Sequence, residues 1–228
     1  MESPGRIYLA DQRGFAESSV LQRYSTFNFE KYYNEHAEPF GHLFLLNDDA
    51  IAGGKLTFFL SKADSLQIFM PVTGRLDIVS NGKEYAMETG QVQVLNLSRG
   101  EVLEISNPHQ NDTINYIQIG IRTDVFLLRH SEMRFNFDFE QEKNKLIEII
   151  SNPKLPFKLS AGVFTGKEEA VYKMQSPESS AFAFIITGAF EIEGRLLNTR
   201  DGFALWNAET VELKALENNA IVLVLETP

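Results

Sequence analysis

Histidines, a pair of adjacent aspartates and scattered lysines are the residues of this chain whose types suit chemistry. His36, His42, His109 and His130 never fall two or four apart, the spacing by which one strand or helix aims two imidazoles at one metal. They read as surface or loop residues. Asp48 and Asp49 carry oxygens suited to a hard cation, but neighbours in a strand point to opposite faces, so a turn is the simpler reading. Cysteine is absent, which removes disulfides, thiolate ligands and thiol nucleophiles together. Glycine-rich phosphate loops, the strand-to-helix nucleophile turn and the zinc-protease helix motif are also missing. Asn96-Leu97-Ser98 and Asn111-Asp112-Thr113 match the glycosylation acceptor, which carries no weight without a secretory leader.

The elements that would position such residues are mostly strands. Leu56, Phe58 and Leu60 alternate with Thr57, Phe59 and Ser61, and Phe135, Phe137 and Phe139 with Asn136 and Asp138. Val222 to Leu225 form a continuously apolar closing strand. Eighteen phenylalanines and many β-branched residues suit pleated surfaces packed on both sides. Helical spacing is scarce; Glu140–Ile150, with Leu146, Ile147 and Ile150, reads equally as helix or strand.

The 228 residues suit one large domain or two small ones, and 43% hydrophobic residues provide a real core. Acidic residues exceed basic ones by 31 − 21 = 10. With the basic residues dispersed, direct nucleic-acid contact is not expected. The start, Met1 to Arg6, shows no basic region leading into an apolar stretch, and no apolar run reaches the roughly 18 residues of a membrane span. The expected setting is the cytoplasm, away from membranes.

An internal repeat organises the chain. Thr73-Gly74-Arg75-Leu76-Asp77-Ile78 is followed by Gly82 and Gly90; Thr187-Gly188-Ala189-Phe190-Glu191-Ile192 is followed by Gly194 and Gly202. The later glycines share one offset, 194 − 82 = 202 − 90 = 112, and the first shift by 188 − 74 = 114. Each glycine suits a turn that needs positive φ. A repeat of this length in short strands is the size of one small β-barrel, so two barrels account for the chain. The expected fold is all-β: two tandem antiparallel β-barrels with little helix, residues 1–130 and 131–228. The segment from Phe126 to Glu142 bridges them, its phenylalanines suggesting that it is packed.

Several stretches resemble the pirin family. Gly5-Arg6-Ile7-Tyr8-Leu9-Ala10-Asp11-Gln12-Arg13-Gly14 resembles the opening of pirins, as does Ser25 to Tyr33 followed by Leu46-Asn47-Asp48-Asp49. Asp201 to Trp206 and the closing Val222 to Pro228 are similar to bacterial pirin-like proteins. The resemblance covers nearly the whole chain and implies a bicupin, two jelly-roll barrels in tandem. It also implies an N-terminal metal, usually iron, held by His-x-His on one strand and His-x-Glu on another. Some members of the family are quercetin 2,3-dioxygenase-like, and others are co-regulators.

Carried over onto this sequence, the resemblance puts Leu60 and Lys62 at the His-x-His positions, between Gly54 and Gly74. Leu103 and Ile105 take the other two, between Gly100 and Asn107. Two leucines, an isoleucine and a cation cannot ligate iron, so the expected cofactor is none. Metal ligands left buried without a metal would cost about 1–3 kcal/mol each as unsatisfied polar groups; Leu60, Leu103 and Ile105 are expected to fill the barrel instead. An ammonium inside a barrel needs a partner. Asp64 and Glu101 are the candidates for Lys62, which otherwise snorkels to solvent or binds an anionic group of a small molecule at the barrel mouth. The second barrel shows no ligand set.

Three functions compete on these residues. The first is a non-catalytic regulatory bicupin that binds a small molecule or a protein partner. The second is an oxygenase whose replacement metal site recruits His36 or His42. Metal-free chemistry with Lys62 as base or Schiff-base nucleophile comes third.

Overall fold

The computed structural model describes residues 4–123 and 132–228. The first twelve strands are β1 (Gly5–Tyr8), β2 (Gly14–Glu17), β3 (Leu21–Ser25), β4 (Leu43–Ile51), β5 (Leu56–Leu60), β6 (Ser65–Thr73), β7 (Leu76–Ser80), β8 (Lys83–Met87), β9 (Gln91–Leu97), β10 (Val102–Ser106), β11 (Ile114–Arg122) and β12 (Met133–Asn136). The remaining nine are β13 (Ile147–Ser151), β14 (Lys158–Phe164), β15 (Glu169–Lys173), β16 (Ser180–Thr187), β17 (Phe190–Ile192), β18 (Arg195–Leu197), β19 (Gly202–Trp206), β20 (Thr210–Ala215) and β21 (Ala220–Thr227). One 3-10 turn, Ala10–Gln12, is the only helical element among the described residues. None is long and apolar enough to cross a membrane.

Two compact units result, residues 13–136 and residues 1–12 with 137–228. These boundaries differ from a division at residue 130, because β1 pairs along its length with β19 and β12 with β9. The strand ahead of each repeat is thus the edge of the other repeat's large sheet. Phe126 and His130 lie outside the described residues, and the ambiguous stretch ending at Ile150 becomes turns followed by β13.

The two units share one antiparallel plan. In the first, the large sheet runs β12-β9-β6-β11-β4-β3-β2 and the small one β5-β10-β7-β8. In the second, the orders are β1-β19-β16-β21-β14-β13 and β15-β20-β17-β18. Each unit is a sandwich of two sheets of jelly-roll type, and neither closes into a continuous ring. Inward residues of both sheets form the cores: Leu45, Phe69, Ile78, Leu103 and Tyr116 in the first, Phe164, Phe190, Phe203, Leu213 and Val224 in the second.

The repeat matches strand for strand except for β2, which has no counterpart in the second unit, and it is graded in length. Two-residue hairpin loops at Asn81-Gly82 and Glu193-Gly194 have φ of 50° and 76°, and 50° and 72°, the signs that a type I′ turn requires. The next left-handed residue is Gly90 (φ 81°) in the first copy and Arg200 (φ 70°) in the second. Gly202 is therefore not the counterpart of Gly90, as the common offset of 112 had suggested. It is needed where β19 passes Phe182, whose ring would lie 2.6 Å from an added Cβ. The true offsets fall in steps of two: 188 − 74 = 114, 194 − 82 = 112 and 200 − 90 = 110. β17 and β18 are each two residues shorter than β7 and β8. Removing two residues from a strand keeps every side chain on its face, whereas removing one would turn the strand inside out.

Candidate functional site

The register of β5 against β10 decides the fate of the four positions that the resemblance assigns to a metal. Leu103 lies opposite Phe59 and Ile105 opposite Thr57. Leu103 and Ile105 are completely buried in the core beside Phe59 and Ile78. Leu60 lies opposite Val102 on the outer face and is 53% exposed, so it does not fill the sandwich. Phe59 has taken the inward place, because Thr57, Phe59 and Ser61 share the face that meets Leu103.

Lys62 is exposed as well. Its ammonium lies 5.8 Å from the centre of the Phe29 ring, which Arg23 also faces at 5.0 Å. The two expected acidic partners are engaged elsewhere. Asp64 accepts the backbone N–H of Arg99 at 2.8 Å, and Glu101 accepts that of Ser98 at 3.0 Å. The four positions are thus not gathered around one point: two are sealed in the core and two face outward. None offers a lone pair suited to iron, so the residues present do not fit the family's metal. Among the described residues, no group of three His, Asp or Glu side chains stands where it could hold a metal ion. His36 and His42 are exposed, and Nε2 of His109 accepts the Arg75 N–H at 3.0 Å.

The two adjacent aspartates are not a turn. Both lie within β4, on opposite faces, and each meets an arginine. Arg13 donates to Asp48 at 3.2 Å. Arg23 donates to both oxygens of Asp49, at 2.8 and 2.6 Å, and the Tyr116 hydroxyl adds a third bond at 2.9 Å. Burial pushes the Asp49 carboxyl above its usual range, and Arg23 and Tyr116 pull it back. Burial of Tyr116, with the neighbouring Asp49 charge, raises its pKa well above that of an ordinary tyrosine. Alternation predicted the opposite faces but not the arginines, which come from 35 and 26 residues away.

More inward polar groups lie beside this pair. Gln118 faces Asn47 across β11 and β4, and donates to Gln67 at 2.9 Å. Neither amide atom of Asn47, nor Oε1 of Gln118, has a hydrogen-bond partner among the described residues. The sequence reading missed these residues because an isolated Asn or Gln in a strand carries no spacing signal.

In the second sandwich it also missed Glu226. This carboxylate, 2% exposed, accepts the Tyr172 hydroxyl at 2.7 Å and the Gln175 backbone N–H at 2.8 Å.

Comparison with known proteins agrees with this architecture. Residues 156–227 match the family described as quercetinase C-terminal cupin domain. A quercetin 2,3-dioxygenase of Escherichia coli K12 is 23% identical over 97% of this chain and 99% of its own length. The chain has a bicupin fold similar to that of the pirins. The crystal structure of YhhW from E. coli superposes on this pirin-like fold with a TM-score of 0.85 at 20% identity, over 99% of this chain and 98% of that one. The structure of bacterial pirin YhhW in complex with nickel(II) gives 0.81 at 19% identity, over 99% of both chains.

Proposed function

We propose that this pirin-like bicupin is a non-catalytic binding protein, regulatory in role, that works in the cytoplasm through a small molecule or a protein partner and without a metal. The observation that carries this reading is the state of the four ligand positions. Leu103 and Ile105 are packed in a closed core, and Leu60 and Lys62 face outward. A dioxygenase of this fold needs a metal to activate dioxygen or substrate, and these side chains supply no ligand for one. A protein partner has a surface to meet. Leu56, Phe58, Leu60 and Val102 are all exposed on the outer face of β5 and β10, and β5 is an edge strand. Exposed apolar edges of this kind are docking surfaces.

A second reading, a quercetin 2,3-dioxygenase-like oxygenase with a metal site of different composition, is favoured by the activity named for the E. coli relative, which is similar over almost all of this chain. One experiment separates the two. The purified full chain is incubated with iron(II) and with nickel(II), washed, and analysed for metal by plasma mass spectrometry and for oxygen uptake with quercetin. Metal far below one per chain and no uptake is the expected result. Near one metal per chain with quercetin-dependent uptake overturns the binding-protein reading.

A further inference from the structure

Glu226 stands on β21 in line with Ala220, Val222 and Val224, on the face that forms the second core. Tyr172 reaches it from β15 in the opposite sheet, so the carboxylate bridges the gap between the sheets at one end of the sandwich. Both of its donors, a hydroxyl and a backbone N–H, are neutral. Its cross-strand neighbour is Lys158, but that ammonium is 3.3 Å from the Glu148 carboxylate. Among the described residues no ammonium or guanidinium lies within 4.0 Å of Glu226. A buried anion without a cationic partner is costly. Of about four lone-pair directions on a carboxylate, two are used here.

A cavity of about 410 Å³ opens onto this group, lined among others by Leu155, Phe157, Lys158, Gln175, Glu226 and Pro228. Its size is that of a small-molecule site, and its wall pairs an apolar side at Leu155, Pro156 and Phe157 with a polar one at Asn152, Gln175 and Ser179. Two carboxylates, Glu226 and Glu148, neighbour the Lys158 ammonium. The net charge of −10 adds a field that gathers cations.

We propose that this cavity binds a small organic cation, a primary ammonium on a short apolar body, with the ammonium on Glu226 and the body along Leu155 and Phe157. The ammonium supplies the charge that Glu226 lacks, and a charge-assisted hydrogen bond fills a free lone pair. The site lies wholly within residues 151–228 and uses none of the positions compared with the pirin metal, so it stands or falls independently of the metal question.

The test uses the full chain with n-butylamine, 1-butanol and butyrate as probes, followed by calorimetry and amide-resolved NMR at neutral pH. Butylammonium is expected to saturate and to shift amides at residues 151–158, 175 and 226–227. The alcohol and butyrate are expected not to do so. Glu226→Gln should weaken butylammonium binding by about tenfold or more, the scale of one lost charged contact. Lys158→Met keeps the carboxylate and should tighten binding, which preserves the test if the Glu226 variant does not fold. Absence of saturable binding to the wild-type chain, preference for butyrate, or undiminished binding to a folded Glu226→Gln each overturns the proposal.

Discussion

Each sandwich buries one inward carboxylate that accepts a tyrosine hydroxyl, and the two are answered differently. Asp49, fully buried, is clamped by Arg23 through two hydrogen bonds in addition to Tyr116. Glu226 has Tyr172 and a backbone amide but, among the described residues, no cation. The registers show why. Glu226 lies between Lys158 on β14 and Ala181 on β16, and Gly120 holds the matching place in the first sandwich, between Leu45 and Gln67. Where the first copy fills this end with Gln67 against Gly120, the second has a carboxylate beside a small alanine and an open cavity. A charge neutralised within the chain belongs to the fold, whereas one left with neutral donors at a cavity is available to a ligand.

The largest effect expected from disturbing this contrast is at the arginine. Arg23→Met strands Asp49 in the core and should cost about 3–5 kcal/mol in urea unfolding. A loss no larger than that of an ordinary surface change would mean that the pair is not structural.

Next comes the divided metal position. Leu103→Ala should cost about 2–5 kcal/mol through the cavity it leaves, while Leu60→Ala should change stability by less than about 0.5 kcal/mol. Equal costs would place both residues in one core and undo the strand register described here.

Tyr172→Phe removes a hydrogen bond from a buried carboxylate and should cost about 1–3 kcal/mol. It also tests pH dependence. Burial, then the hydrogen bond to Glu226 and the Glu226 and Glu148 charges, raises the pKa of Tyr172 above its ordinary value of 10.0, and burial raises that of Tyr116 as well. In the unfolded chain both ionise near pH 10 while the folded chain keeps both protons. The stabilisation is therefore complete below about pH 10 and is lost as pH rises above it. Tyr172→Phe should flatten that alkaline decline in part; an unchanged slope would show that this phenol does not contribute to it.

The smallest effect tests the likeness of the two copies. Gly82→Ala and Gly194→Ala meet no neighbouring atom within 4 Å but demand positive φ, so each should cost about 1 kcal/mol by backbone strain alone. Clearly unequal costs would argue that the two hairpins are not equivalent turns.

Much of the architecture was legible from the residues. Glycines ahead of alternating strands mark turns by local chemistry, and their near-constant spacing revealed two copies of one unit. That reading misplaced one correspondence, Gly90 with Gly202, because a glycine needed for close approach to Phe182 looks identical in sequence to one needed for positive φ. The boundary near residue 130 moved for a similar reason. Nothing local to Gly5–Tyr8 or Met133–Asn136 says which sheet edge each strand joins.

The candidate sites were less legible. By itself the sequence determined that the chain is a duplicated antiparallel β protein; it was the resemblance to pirins that assigned Leu60, Lys62, Leu103 and Ile105 to the ligand positions. Alternation says which residues share a face, a local property of the pleat. Which face turns inward was decided only by the tertiary register of Phe59 against Leu103, and that placed Leu60 in solvent. The same holds for the buried carboxylates. Arg23 and Tyr116 reach Asp49 from 26 and 67 residues away, and Tyr172 reaches Glu226 from 54. Hydrogen bonds act over about 3 Å, so partners so distant along the chain become partners only when the sheets bring them face to face.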